Sequence, residues 1–334
     1  MTHEIPSPPD TPGPETLTVF EPLWLARYEL LKSRGYLLRP RYRPGWVASW
    51  TSLRDVPFYC CEDGILPLSP HLDAERISDG QQVFLKVVPK TSPEVEIGKY
   101  LSTPELRSDP RNHSVPLFDV LDDPADPDSA ILVIPLLRRL ADPLPDSIRE
   151  VLDFVDQTLE GLTFLHEHKI AHRDCAHGNI LMDGRALFPH GWHPQSLLSS
   201  RDGLHNAGFP SLREVEQLRY YFIDFGISSW NEDMTVGDIG QERAPELSET
   251  IPYDPYKLDV YILGMAYSKF FEARYREGEF EFLRPVIEFM APKDPNERPS
   301  ALQAYEMFKE LRKTIPKPEL SRRLQPPDPE SPVS

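Results

Sequence analysis

Cysteine is scarce: the 334 residues hold three, Cys60, Cys61 and Cys175. Two are adjacent, so no pair has the spacing of a zinc site, and nothing suggests a disulfide framework. Reducing, intracellular surroundings, cytoplasmic or nuclear, are therefore expected. Basic charge is also short, with 36 Lys and Arg against 53 Asp and Glu and a formal net charge of −17. A surface of that sign repels phosphate backbones and anionic lipid, which argues against nucleic acid and membranes as partners. Long apolar runs are missing. The longest, residues 130–137 (AILVIPLL), falls well short of the roughly 20 residues of a spanning helix and reads as a buried strand. The N-terminal MTHEIPSPPDTPGPET has neither a basic n-region nor an apolar h-region, so no secretory signal is expected. No internal repeat is visible.

Proline, by contrast, is abundant, with 37 residues, and is densest at the two ends. Residues 1–16 and 316–334 combine Pro, Ser, Asp and Glu with few apolar anchors and read as disordered tails. Between them, residues 17–315 carry 3.6- and 2-residue patterning. Short strand-like runs fall at 82–88, 115–120 and 130–137, with one short helical stretch at 94–101. From about 146 the pattern turns helical. In SIREVLDFVDQTLEGLTFLHEH the apolar residues Val151, Phe154, Val155, Leu159, Leu162 and Leu165 recur at helical spacing, and Ser147 with Glu150 forms a capping-box pattern. Further helices are predicted at 257–275, 280–290 and 299–313. A strand-rich part, about 46–137, thus precedes a larger helical part, about 144–315, joined near 135–144.

Four motifs carry chemistry. The first is AHRDCAHGNILMD, in which His172, Arg173 and Asp174 are followed by Asn179. The second is YYFIDFGIS, an apolar strand that delivers Asp224, Phe225 and Gly226 to a turn. The third is VFLK, an apolar strand bearing Lys86 where a core face would not want a charge. An outward-facing edge lysine is the plain reading of that residue alone. The fourth is a late series: Ala244-Pro245-Glu246, then Asp259 within KLDVYILG, then Arg298 within DPNERP.

In this order and spacing the motifs resemble the landmarks of the eukaryotic protein kinase superfamily, over about residues 46–314. The chain is also similar to a divergent group of fungal kinase-like proteins. The resemblance implies an α+β, two-lobed fold with a small antiparallel β-rich N-lobe and a larger, mainly helical C-lobe. It implies an ATP- and Mg2+-dependent protein kinase that transfers the γ-phosphoryl group to a protein hydroxyl, Ser or Thr by the family's base rate. Asp174 would be the catalytic base, next to Arg173 of the same loop. Asn179 and Asp224 would hold Mg2+. Lys86 would contact the α- and β-phosphates and pair with Glu94, Glu96 being the alternative. Residues 134–137, Ile134 and Leu137 among them, would form the hinge against adenine. Phe225 would be a packing switch, Glu246 would pair with Arg298, and Asp259 would anchor the catalytic loop. The partner would be a protein substrate, and a monomer is expected.

The sequence departs from the family pattern in five places. No G-x-G-x-x-G precedes Lys86; from Glu62 to Gly80 the glycines are Gly64 and Gly80 alone. The stretch between Lys86 and Glu94 is shorter than usual. Ala176 stands where Ser/Thr kinases have a lysine, and Ile239 where they have a threonine. An insertion of roughly thirty residues, about 184–216, contains His190, His193 and His205, and reads as a surface loop rather than a metal site because no carboxylate or cysteine sits at a recognised spacing. Ser228, Ser229 and Thr235 read as surface hydroxyls. Two other functions fit parts of this pattern. A pseudokinase scaffold fits the missing glycines, and a small-molecule phosphotransferase fits the Gly-Asn-Ile-Leu after Asp174.

Overall fold

The computed structural model describes residues 15–18, 21–52, 57–65, 71–208 and 218–327. The chain is mixed α and β, and among the described residues every ladder between strands is antiparallel. It divides into two compact units. One comprises Met1–Lys90, Phe118–Leu136 and Phe188–Gly208; the other comprises Thr91–Leu117, Leu137–Leu187 and Phe209–Ser334. Among the described residues no helix is long and apolar enough to cross a membrane.

The first unit is built on a five-stranded sheet. It contains α1 (Pro22–Ser33), β1 (Tyr36–Leu37), β2 (Leu72–Arg76), β3 (Gln82–Pro89), β4 (Asp119–Asp122) and β5 (Ser129–Pro135), with strand order β1-β2-β3-β5-β4. β3 alternates as its sequence demands: Val83 and Leu85 are fully buried, whereas Gln82, Phe84 and Lys86 are half-buried on the other face. The buried face packs on α1 through Trp24, Tyr28 and Leu31, spaced at helical intervals. The first ordered elements therefore precede residue 46, where the strand-rich part was expected to begin. The helix was invisible to apolar periodicity because Arg27 shares its buried face. There Arg27 makes a bidentate pair with Asp123, at 3.0 and 2.6 Å. Arg41 and Glu21 form a second buried pair. Such pairs survive burial only because each charge is met by fixed hydrogen bonds.

The insertion is not a plain surface loop. Its Phe188–Gly208 stretch belongs to the body of the first unit, where Trp192 is 2% and His193 1% exposed. Residues 209–217 lie outside the described residues. The strand expected at 115–120 starts later, at Asp119, because Pro116 has no N–H to give a ladder. The N–H of Val115 instead donates to Phe222 O at 2.9 Å.

The second unit holds α2 (Pro93–Leu101), α3 (Pro104–Ser108), β6 (Arg138–Arg139), α4 (Ile148–Glu167), β7 (Ile170–Ala171), β8 (Ile180–Met182), β9 (Tyr220–Phe222), β10 (Ser229–Trp230), β11 (Thr235–Gly237), β12 (Ser248–Tyr253), α5 (Pro255–Glu272), α6 (Arg284–Met290), α7 (Ala301–Thr314) and α8 (Lys317–Leu320). The six periodic residues of α4 are all buried. Ser147 caps it by accepting from the Glu150 N–H at 3.5 Å, but the Glu150 carboxylate reaches past Ser147 to the Asp146 N–H at 2.7 Å. α5 is buried almost all round and passes close to α6. A Cβ at Gly264 would lie 2.9 Å from Met290 Cβ, so that crossing requires glycine. α6 starts at Arg284 rather than 280 because Pro285 suits only a first turn.

The C-terminal tail corrects another expectation. Residues 316–327 are folded onto the second unit: α8 forms, Leu324 is buried, and its N–H donates to Asp146 O at 2.9 Å. Residues 1–14 and 328–334 of the two expected tails lie outside the described residues.

Burial pushes the His193 imidazole down to about 4, helped by the nearby Arg39 charge. An unfolded histidine titrates near 6.5, so the stability tied to this group is complete above that pH and is lost as pH falls toward 4. Urea unfolding followed by circular dichroism should show stability falling by about 2 kcal/mol more between pH 7.5 and 5 in the wild type than in His193→Phe. Equal slopes for the two proteins would contradict this assignment.

Candidate functional site

The site is built around Asp259, fully buried in the middle of α5. Its carboxylate accepts the backbone N–H of His172 at 2.7 Å and of Arg173 at 2.6 Å, and meets His166 Nε2 at 2.9 Å. The Cys175 thiol points to Asp259 O at 3.2 Å, and burial pushes that thiol up, which leaves it inert. These bonds hold a loop that would not hold itself. Arg173 has φ +66°, a left-handed conformation costly for a bulky residue.

The His172 ring is fully buried, and burial holds it neutral. Its Nε2 lies 2.9 Å from Ile223 O and its Nδ1 accepts the Asp174 N–H at 3.3 Å, an arrangement that fixes the tautomer with the proton on Nε2. Phe225 is 2% exposed, and its ring centre lies 4.8 Å from that of His172.

Asp174 itself is tightly oriented. Its Oδ2 accepts from Asn179 Nδ2 at 2.9 Å and Gln241 Nε2 at 3.1 Å, and its Oδ1 accepts from the Gln241 N–H at 2.7 Å. Gln241 can lie across the loop because residue 178 is glycine; a Cβ there would come within 2.4 Å of Gln241 Oε1. Gln241 was not among the residues singled out from the sequence. Ala176 is fully buried and Ile239 is 66% exposed, so neither supplies a polar group to Asp174.

Asn179 and Asp224 are brought together by the β8–β9 ladder. Ile180 pairs with Phe222, and the Ile223 N–H donates to Asn179 O at 3.0 Å. Asp224, next in the chain, has φ +63°. Gly226 lies between two carboxylates: a Cβ on it would stand 3.2 Å from Asp224 Oδ1 and 4.0 Å from Glu94 Oε2. Glu94 is buried in the first turn of α2, whereas Glu96 is exposed. The Asn179 amide nitrogen is committed to Asp174, so the atom it can offer a cation is Oδ1. It and the Asp224 carboxylate are hard oxygen donors, the type that would suit Mg2+. Among the described residues no group of three or more His, Cys, Asp or Glu is arranged to hold a metal by itself.

Around this centre Glu246 and Arg298 pair in bidentate fashion at 2.5 and 2.8 Å, with Arg298 2% exposed. The Arg173 guanidinium donates to Ile227 O at 3.0 Å, Val236 O at 2.8 Å and Tyr253 Oη at 2.9 Å. Ser228 and Ser229, expected as surface hydroxyls, are buried, and Ser228 Oγ donates to His172 O at 3.0 Å. Thr235 is half-buried. Of the remaining expected residues, Lys86 and Ile134 lie in the first unit, on β3 and β5. Leu137, Glu94, Arg173, Asp174, Asn179 and Asp224 lie in the second.

No protein-family model matches the chain, and no curated protein matches it.

Removing the carboxylate that organises the loop should loosen it first. Asp259→Asn is expected to speed amide exchange at His172 and Arg173 by at least about tenfold and to lower unfolding free energy by roughly 3 kcal/mol. Unchanged exchange at both amides would show that the loop is held by something else.

Proposed function

We propose that the chain is an ATP-dependent phosphotransferase of the protein kinase fold, acting on a protein hydroxyl. In this reading the first unit is the N-lobe and the second the C-lobe. The observation that carries the proposal is the fixed Asp174 carboxylate, held by Asn179 and Gln241 on a loop anchored by Asp259 and adjoining Asp224. A base kept in one orientation beside two cation-binding oxygens is what in-line transfer of a phosphoryl group requires. The acceptor oxygen attacks the γ-phosphorus, a new O–P bond forms, and the bond to the β-phosphate oxygen breaks to release ADP. The acceptor proton passes to Asp174. Asn179 Oδ1 and Asp224 would hold Mg2+ on the phosphates, Lys86 would neutralise the α- and β-phosphates, and Ile134 and Leu137 would flank the adenine. Gln241 would supply the donors that Ala176 and Ile239 cannot, and the acceptor would be serine or threonine.

One observation favours a second reading, a pseudokinase scaffold. Between β1 and β2, where a glycine-rich phosphate loop is expected, Gly64 is packed in a tight turn. A Cβ there would lie 1.9 Å from Phe58 O.

Mg2+-dependent transfer from radiolabelled ATP to the chain itself or to a serine-rich protein separates the two. Asp174→Ala and Lys86→Ala should each lower it by about 100-fold or more, and Gln241→Ala by about tenfold with the KM for ATP unchanged. Incorporation that survives in Asp174→Ala would overturn the proposed chemistry. Binding of MgATP without any transfer would leave the scaffold.

A further inference from the structure

The face of β3 that bears Lys86 is not bare. Val83 and Leu85 point into the α1 core, so Gln82, Phe84 and Lys86 share the opposite face. Register extends that face across the sheet: Asp73 lies beside Phe84, Glu75 beside Gln82, and Ile134 beside Phe84. These are the positions that an adenine and its neighbouring groups would use if Lys86 holds phosphates.

The Phe188–Gly208 segment grips this same face. The Gln82 side-chain amide is used at both ends by one residue of the segment: its Nε2 donates to Trp192 O at 2.9 Å, and its Oε1 accepts the Trp192 N–H at 3.1 Å. Arg201 donates to Glu75 Oε2 at 2.5 Å and to Gly80 O at 3.1 Å. The backbone is shaped for this approach. Gly191 has φ +75°, and a Cβ on it would lie 2.1 Å from Gln82 Oε1. The segment is also folded on itself, with His193 N–H on Ser199 O at 3.0 Å and Ala207 N–H on Leu198 O at 2.8 Å. Near Arg39, Asp73 and His193 the space left beneath it is about 10 Å³, room for no more than a water, while a more open pocket of about 530 Å³ lies where His190 and Arg201 meet Asp73 and Glu75.

We infer that Phe188–Gly208 is an autoinhibitory strap that covers the nucleotide-facing side of the sheet, so that MgATP binds only when the strap lifts. The inference rests on the phosphotransferase reading, because it takes the Lys86 face as the nucleotide's. The strap costs affinity by population: the apparent Kd exceeds the intrinsic one by the inverse of the open fraction. It also accounts for a sheet without a glycine-rich loop, since the face is closed by another part of the chain.

The test is MgATP titration by calorimetry on the full chain, with hydrogen exchange at Trp192 as the report on the strap. Two variants lift it by different means. Gly191→Ala strains a backbone at φ +75° and its methyl pushes aside the Gln82 amide that holds Trp192, and Arg201→Ala removes the anchor to Glu75 while leaving the core untouched. Arg201→Ala keeps the test valid should Gly191→Ala fail to fold. The expected result is faster exchange at Trp192 and MgATP binding at least about tenfold tighter than in the wild type. Equal, measurable affinity in wild type and variants would overturn the strap and leave the phosphotransferase reading standing. Faster exchange with no MgATP binding by any of the proteins would overturn both, since the uncovered face would then not be a nucleotide site.

Discussion

A fully buried carboxylate persists only where donors surround it, and Asp259 meets that demand with two consecutive backbone N–H groups and an imidazole. The dependence runs both ways. Asp259 needs the loop's donors to satisfy its oxygens in the core of α5, and the loop needs Asp259 to keep Arg173 in a left-handed conformation. From this mutual requirement follow the places of His172, Asp174 and Asn179. His172 passes the restraint onward through Ile223 O to the strand that ends in Asp224. One charge, placed in a helix interior where local propensity gains nothing from it, thus positions both proposed cation ligands and the proposed base.

The second unit was largely readable because its signals are local. Asp174 and Asn179 sit five residues apart on one turn, and the six apolar positions of α4 lie on one face. The Glu246–Arg298 pair also followed from motifs, although its partners are far apart in sequence. Gln241 was hidden, since its side chain matters only because residue 178 lacks a Cβ and lets it cross the loop. No spacing rule encodes a contact that depends on the absence of an atom elsewhere.

The first unit hid more. Strand β3 announced itself by alternation, but α1 carries Arg27 on its buried face, matched by Asp123, and polar pairs inside a core defeat apolar periodicity. The Phe188–Gly208 segment is hard to read from sequence for a related reason. Its His, Ser, Gly and Pro content is that of an exposed loop, and its attachment, with Phe188, Trp192 and His193 buried, comes from two distant partners, Gln82 and Glu75. In the C-terminal tail, proline content alone suggests disorder, whereas Pro318 opens a helical turn and Leu324 docks.

The discontinuous make-up of the first unit bears on how the protein is made. Its sheet is completed by β5 only after the first two helices of the second unit have been synthesised, and its last stretch ends at Gly208. The second unit closes later still, when Leu324 reaches Asp146. A chain emerging from the ribosome at about 5–20 residues per second therefore holds an unfinished sheet edge for several seconds. The first unit is complete only after part of the second has been made, and the second closes after it. Folding is interleaved rather than sequential, and the acidic surface, which disfavours association between nascent copies, covers that interval.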